Sequence, residues 1–296
     1  METKLLPSET SVAPHTTWKL TTDPSVDTNQ APCNISGGLE MVSPIIQLTE
    51  NGLWVHPIKV VWKFLEEVCD VGANDRCSTH VHLSLPETYS VIQMKRLAQA
   101  VIYFEGAVPL ILPESRRSNH YARSNWKDNE YFKGDSRDQA MAKLEGCTTI
   151  EAVIEMMNPG KHKRYYGWNF TAFKSYGTVE FRRGAGSTNA QQVLQWITLS
   201  TTFLRASLRI ATSEDFRHYP ETVGGLYRFL SSVPRAQDNW KKLFDHKDFD
   251  QYQEPQKLGQ LRPAEEAAFQ RKFRHDSGPS LMLNAIAEYK KAQKKH

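Results

Sequence analysis

The stretch Gly177-Thr-Val-Glu-Phe-Arg-Arg-Gly184 decides how the chain around it is organised. A glycine stands at each end, and β-branched and aromatic residues fill the middle, which predicts a short strand. Because side chains alternate along a strand, the residues divide between two faces, Thr178, Glu180 and Arg182 on one and Val179, Phe181 and Arg183 on the other. Since Val179 and Phe181 suit a core, we expect Glu180 and Arg182 to face away from it.

Glu180 and Arg182 allow two interpretations. A carboxylate beside a guanidinium group can bind a cation and an anion together, as a metal–phosphate site requires. Alternatively, the two side chains form an ordinary ion pair on an exposed strand face, since charged residues are mostly solvated. The remaining motifs of the chain bear on this choice.

Composition describes an ordinary globular protein of 296 residues, with 40% hydrophobic and 24% charged residues. The net charge of +4 gives no support to a nucleic-acid or membrane-surface role, although small anionic molecules remain candidate ligands. The four cysteines are widely spread without a paired motif, which favours free thiols in a reducing compartment. No signal-peptide pattern and no apolar run of roughly 18 residues occurs, so we expect a cytoplasmic protein.

Periodicity predicts an α+β fold with three segments along the chain. Residues 1–15, rich in Ser, Thr and Pro, are expected to form a flexible lead-in and 16–250 a folded domain. Residues 251–296 are expected to form a charged helical extension, with two short helices around 264–275 and 279–292. Strand-like runs precede the opening stretch at 18–26, 39–48, 77–85 and 164–173. Helical patterns cover 58–71, a segment starting at Pro86 and running towards Val108, and 188–212. Helices would then cover one face of the sheet and leave the other face free for function.

That free face is expected to carry a His-x-His pair. On the strand Cys77–Leu85, the period of two places His80 and His82 on one side, where both rings can reach a shared metal ion. Glu40 and Glu180 would join them from other strands, and carboxylates with imidazole suit Mg²⁺ or Mn²⁺. The alternatives are a solvated histidine pair, or a metal-dependent hydrolase or oxygenase that uses zinc or iron.

A basic stretch at 113–125 supplies further polar side chains. Arg116, Arg117 and Asn119 lie close together there and could contact phosphates, although a solvated basic loop would have the same composition. The chain has neither of the common glycine-rich phosphate-binding loops. Any ATP would therefore have to be bound by arginines and a carboxylate-held metal.

Together, four ordered blocks resemble the amidoligase family of the glutamine synthetase and glutamate–cysteine ligase superfamily. The blocks are 39–44, His80-Val-His82 with Cys77 before it, 116–122, and 164–169 with Gly177–Arg182. Their order and spacing cover about residues 16–212. The resemblance implies that 16–250 is a catalytic domain. Its fold would be a curved antiparallel sheet of the glutamine synthetase type, with helices on the convex face.

The resemblance also implies a reaction and a set of roles. The reaction is the ATP-dependent joining of a small-molecule or peptide carboxylate to an amine through an acyl phosphate, with Mg²⁺ or Mn²⁺. The implied metal ligands are Glu40, His80, His82 and Glu180. The implied catalytic residues are Arg182, Arg116 and Glu180, and the implied nucleotide-binding residues are Arg116, Arg117, Asn119, Asn169 and Arg182.

One departure from the family pattern keeps an alternative open. Family members usually begin with a Gly-x-Glu-x-Glu strand, whereas Met1–Thr17 contains only Glu2 and Glu9 as acidic residues. A relative that has lost or changed its activity, and that binds a partner instead, would show such a departure. Neither nucleic acid nor membrane is expected as a partner, and the oligomeric state is left open.

Overall fold

The structure is a computed structural model that describes residues 16–23 and 38–276. Two compact units divide these residues: one consists of the described parts of 1–48 and 262–296, and the other is 49–261. The expected lead-in over 1–15 and a predicted short helix over 279–292 lie outside the described residues.

Strands and helices alternate along the chain. The strands are β1 (Lys19–Asp23), β2 (Gly38–Val42), β3 (Ser78–Leu83), β4 (Trp168–Asn169) and β5 (Val179–Ala185). The α-helices are α1 (Val55–Val68), α2 (Val91–Tyr103), α3 (Val108–Ile111), α4 (Glu114–Arg117), α5 (Arg137–Glu145), α6 (Ile150–Met157), α7 (Ala172–Tyr176), α8 (Ala190–Ser207), α9 (Val223–Ser231) and α10 (Pro263–Asp276). Short 3₁₀ turns lie at Glu130–Phe132, Lys163–Tyr165, Ser213–His218 and Asn239–Phe244.

The opening stretch forms the central strand of a three-stranded antiparallel sheet with the order β3-β5-β4. Gly177 ends α7 with a φ of 69°, a left-handed conformation that glycine adopts without strain, and β5 follows two residues later. Across the sheet, Glu180 lies between His82 on β3 and Asn169 on β4. The neighbouring row consists of Val81, Phe181 and Trp168.

The row with Phe181 faces the hydrophobic core. Phe181 is 1% exposed, and its ring lies 5.1 Å from that of Trp168. Trp168 in turn packs against Phe203 of α8, at 5.3 Å between ring centroids. The same core includes most of α2 and the inner faces of α5, α6 and α9. This packing confirms the prediction, made from the alternation of side chains, that Phe181 faces the core.

A β-bulge interrupts the pairing of β3 with β5. Thr79 pairs with Gly184 and Val81 with Phe181. One residue of β3, His80, therefore lies opposite two residues of β5, Arg182 and Arg183. Such a bulge bends the strand and changes the direction of its side chains. It places two consecutive arginines at the centre of the sheet.

Three sequence-based expectations about the elements are wrong. The strand expected over 164–173 is reduced to the two residues of β4, between the 3₁₀ turn Lys163–Tyr165 and α7. The helix after β3 does not start at Pro86, because Ser90 and Gln93 form a capping box that begins α2 at Val91. The strand that bears Glu40 does not share the sheet of Glu180. β2 pairs with β1 in a separate two-stranded sheet of the other compact unit.

The expectation of a mixed fold with antiparallel sheets and many helices is confirmed. The finer expectation, a curved sheet of the glutamine synthetase type, stays a prediction. So does the assignment of 16–250 as a catalytic domain with 251–296 as an extension. α10 spans the whole of the helix expected around 264–275.

Close packing at Gly184 provides a test of the bulge. A Cβ there would lie 2.5 Å from the Thr79 carbonyl oxygen and 3.1 Å from the Trp196 ring, whereas a Cβ at Gly72 would meet no atom within 4 Å. We expect Gly184→Ala to lower the free energy of unfolding by about 1–3 kcal/mol, as overpacking does. Urea unfolding followed by circular dichroism measures this, with Gly72→Ala as the matched control. Equal stability of the two variants would contradict this packing.

Candidate functional site

The carboxylate of Glu180 is the centre of the candidate site. It is 3% exposed, and both of its oxygens are engaged by other side chains. Arg182 Nη1 donates to Oε1 at 2.6 Å, and Asn169 Nδ2 donates to Oε2 at 2.7 Å. The Asn169 amide is held in this orientation because its Oδ1 accepts from the backbone N–H and the hydroxyl of Thr171. The interpretation of Glu180 and Arg182 as an exposed ion pair is therefore wrong, since both are buried.

Charge decides the protonation state of Glu180. Burial by itself would raise the pKa of this carboxyl, but the surrounding positive groups, of which Arg182 is the strongest, together outweigh burial and hold the pKa below the ordinary value of 4.5. The carboxylate is accordingly ionised at neutral pH.

Both predicted histidines lie beside Glu180, as the period of two implies. His80 Nδ1 is 3.4 Å and His82 Nε2 is 3.7 Å from Glu180 Oε1. Their other ring nitrogens contact hydroxyls, His80 with Ser78 at 2.9 Å and His82 with Thr178 at 3.0 Å. Burial, followed by the charge of Arg182, lowers the pKa of His80 well below 6.5. Burial also lowers the pKa of His82.

Arg182 connects the carboxylate to the loop that follows α4. It is 2% exposed, its Nε donates to the Tyr121 carbonyl oxygen at 3.3 Å, and its guanidinium carbon lies 5.7 Å from the centre of the Tyr165 ring. Its own carbonyl oxygen accepts from Arg116 Nη2 at 2.8 Å. The opening strand and the basic stretch therefore meet in space.

Arg116 is a candidate ligand-binding residue. It is 3% exposed, so the interpretation of its segment as a solvated basic loop is wrong for this residue. Its Nε is buried, and none of the described residues accepts a hydrogen bond from it. Burial, together with the charges of Arg182 and Arg183, lowers the pKa of Arg116 to about 10, which leaves it charged at neutral pH. A buried, charged donor without an acceptor suits an anionic ligand.

Arg183 and Glu105 form a buried ion pair that the sequence interpretation missed. The side chains are 6% and 4% exposed, and Arg183 Nη2 contacts Glu105 Oε1 directly. A signal was present, because alternation puts Arg183 on the apolar face with Phe181, where a charge requires a buried partner. Glu105 is the only charged residue in the apolar run 101–112.

The site carries an excess of positive charge. Its five buried ionisable side chains are three arginines and two glutamates, namely Arg116, Arg182, Arg183, Glu105 and Glu180, so one positive charge remains over. A buried excess of positive charge is costly, so this balance suits an anionic ligand.

The remaining predicted residues are Arg117, Asn119 and Glu40. Arg117 is exposed, and its Nε donates to the Leu112 carbonyl oxygen at 3.3 Å. Asn119 is half-buried and accepts from the Tyr121 backbone N–H at 2.9 Å, next to the carbonyl that Arg182 contacts. Glu40 is exposed in the other compact unit. The roles of all three stay predictions.

The donor atoms around Glu180 do not fit a metal ion as they are arranged. Within residues 16–23 and 38–276, no group of three or more His, Cys, Asp or Glu side chains could hold one. The physical reason is that Arg182 and Asn169 occupy the carboxylate oxygens that a metal would need. The assignment of Glu40, His80, His82 and Glu180 as metal ligands therefore stays a prediction, and no step of a reaction is built on it.

Fold and site together describe a mixed α/β protein with a buried cluster of charged side chains in which arginines outnumber glutamates. A family model described as "Putative amidoligase enzyme" matches residues 5–204, which include every predicted site residue. The chain belongs to this amidoligase family, a family of enzymes. No curated protein and no solved structure is significantly similar to the chain. In the part of the chain that the structure describes, no helix is both long and apolar enough to cross a membrane.

The lowered pKa of the histidines predicts how stability depends on pH. Below pH 6.5 the unfolded chain takes up protons on rings that stay neutral in the fold, so the free energy of unfolding should fall as the pH drops from about 7 to about 5. We expect His80→Asn to make this dependence shallower, whereas replacement of the exposed His56 by Asn should leave it unchanged. Urea titrations across that range measure it. Parallel pH profiles for wild type and His80→Asn would contradict the prediction.

Proposed function

We propose that the chain is an ATP-dependent ligase that joins a carboxylate to an amine. The observation that carries this proposal is the buried guanidinium of Arg116 with its unpartnered Nε, beside Arg182, in a member of the amidoligase family. Triphosphates are anions whose oxygens match the planar donors of arginine. The excess positive charge of the site supports the same ligand.

The proposed reaction has two steps. In the first, a carboxylate oxygen of the acid attacks the γ-phosphorus of ATP, the bond from that phosphorus to the β-phosphate bridge breaks, and ADP leaves with an acyl phosphate formed. In the second, the amine nitrogen attacks the acyl carbon, inorganic phosphate leaves with the electron pair of the C–O bond, and the nitrogen loses a proton. The products are an amide, ADP and phosphate.

Arginines would act on the charge that develops in these steps. In the proposal Arg182 and Arg116 stabilise the phosphoryl group during transfer, as preorganised donors do in other phosphoryl-transfer sites. Glu180 keeps Arg182 oriented, with support from the 2.6 Å contact between them. Asn169, Arg117 and Asn119 would line the nucleotide site.

Divalent metal enters the proposal together with ATP, as the Mg²⁺ or Mn²⁺ complex of the nucleotide. The curved sheet of the glutamine synthetase type is likewise proposed, with β3-β5-β4 as a part of it. The substrates would be small-molecule or peptide acids and amines. A cytoplasmic location is proposed as well, and the free thiols of Cys69, Cys77 and Cys147 support it.

A relative without ligase activity is the second candidate. The hydrogen bonds that already occupy both oxygens of Glu180 favour it, because such a carboxylate is satisfied without metal or nucleotide. The two candidates differ in one measurable property. Only the ligase releases phosphate from ATP in a manner that depends on an added amine.

The first test is nucleotide binding to purified protein by calorimetry, with Mg²⁺ present. We expect Glu180→Gln to abolish detectable ATP binding, because the loss of the ionised carboxylate removes the 2.6 Å ion pair that orients Arg182. Glu66→Gln, at an exposed position of α1, is the matched control. Circular dichroism checks that both variants fold. Wild-type protein that fails to bind ATP at millimolar concentration would refute the proposed ligase.

A second test addresses the geometry of Arg116. Arg116→Lys keeps the positive charge but removes the planar donors, so we expect the rate of amine-dependent phosphate release to fall by about 10- to 1000-fold. Arg205→Lys, on the exposed side of α8, should match the wild type. Phosphate release is assayed with mixed acids and amines as substrates. An unchanged rate in Arg116→Lys would show that charge alone suffices at this position.

A further inference from the structure

The ion pair of Arg183 with Glu105 lies directly behind the candidate site. Arg183 is the second residue of the β-bulge, next to Arg182, and Glu105 follows the end of α2. Both side chains are at least nine-tenths buried. Burial raises the pKa of Glu105, and the charge of Arg183 acts against this. A buried ion pair often contributes no more to the stability of a fold than apolar side chains of similar volume would contribute at the same positions. Its presence therefore invites a functional explanation.

Packing holds Arg183 in one position. Gly167 lies against its guanidinium, because a Cβ at Gly167 would come within 2.1 Å of Arg183 Nε. The carbonyl oxygen of the same Gly167 accepts from the Arg182 backbone N–H at 2.9 Å. Arg183 is thus held between Gly167 and Glu105, and this contact fixes the backbone from which Arg182 extends.

The position of Arg182 in turn affects the positions of Glu180 and Arg116. Arg182 reaches Glu180 through its side chain and Arg116 through its carbonyl oxygen, at 2.6 and 2.8 Å. A shift of the bulge would therefore move both guanidinium groups that face the proposed anion.

Glu105 also has a neighbour on the loop after α4. Ser124 acts to lower the pKa of the Glu105 carboxyl, and Ser124 Oγ accepts from the backbone N–H groups of Trp126 and Lys127. Asp128 accepts from the Ser124 N–H at 2.9 Å through one oxygen and from the Leu258 N–H at 2.8 Å through the other. The segment next to the Glu105 carboxylate is thus anchored, while the direct contact of that carboxylate is with Arg183.

We infer that Glu105 is a positioning residue of this site: through Arg183 it anchors the β-bulge and so sets Arg182 and Arg116 for an anionic substrate. The identity of that substrate, ATP, rests on the proposed function. The anchoring itself rests on the contacts of Glu105 and Arg183 alone.

The experiment separates positioning from stability. Glu105→Gln leaves Arg183 as an unpaired buried charge and should weaken both the fold and the site. The double variant Glu105→Leu with Arg183→Met replaces the pair by apolar side chains, which generally restores stability. If Glu105 positions the bulge, the double variant should unfold like the wild type, yet its rate of phosphate release should stay about 10- to 100-fold lower. Recovery of rate together with stability would overturn the inference.

Hydrogen exchange gives a readout that does not depend on catalysis. In the double variant we expect faster exchange of the amides of β5, above all Arg182, and unchanged exchange in the buried part of α8. Glu66→Gln should match the wild type throughout. Unchanged exchange in β5 would overturn the inference even if the wild type proves to be an active ligase. If the wild type neither binds nor hydrolyses ATP, the proposed function fails, and the exchange result still decides the role of Glu105.

Discussion

The burial of the Glu180 carboxylate is the constraint on which the site depends. An ionised carboxylate with 3% exposure requires compensation from charge and hydrogen bonds, and its neighbours on both sides along the sheet provide contacts of this kind. Arg182 contributes the charge, Asn169 the amide donor, and the two histidines complete the surroundings. The positive charge around Glu180 exceeds what one carboxylate needs, because Arg182 is hydrogen-bonded to Arg116, whose buried Nε has no acceptor among the described residues.

The β-bulge explains how so many charges can share a small sheet. Without it, Arg182 and Arg183 would each pair with a separate residue of β3, and the ladder would continue undisturbed. Because two residues of β5 lie opposite His80, the strand bends at Arg182 and Arg183, whose side chains extend to opposite faces of the sheet. Arg183 passes into the apolar layer to reach Glu105, while Arg182 stays with Glu180. The β-bulge thus links the hydrophobic core, which Arg183 enters, to the candidate site, which contains Arg182.

Local pattern predicted the parts of this arrangement that depend on neighbours in sequence. The alternation in β3 and β5 correctly grouped His80, His82, Glu180 and Arg182, and it identified Phe181 as a core residue. Pairing between distant segments could not be read in the same way. No periodicity links Glu105 to Arg183, 78 positions later, or shows that β2 pairs with β1. The start of α2 was missed for a different reason, since a proline and a capping serine competed as helix signals and hydrogen bonding favoured the serine.

The end of the family match has a consequence for how the chain evolves. The match stops at residue 204, three residues before α8 ends, at a point where Phe203 and Leu204 are buried. α9 and the turn Asn239–Phe244 pack on this helix, and Leu258 is bonded to Asp128 within the matched region. The stretch that the family shares is therefore shorter than the stretch that must fold together. Residues after 204 contribute no predicted site residue, but they pack against the stretch that contains the site. We therefore expect substitutions at contacting positions of the two stretches to be correlated.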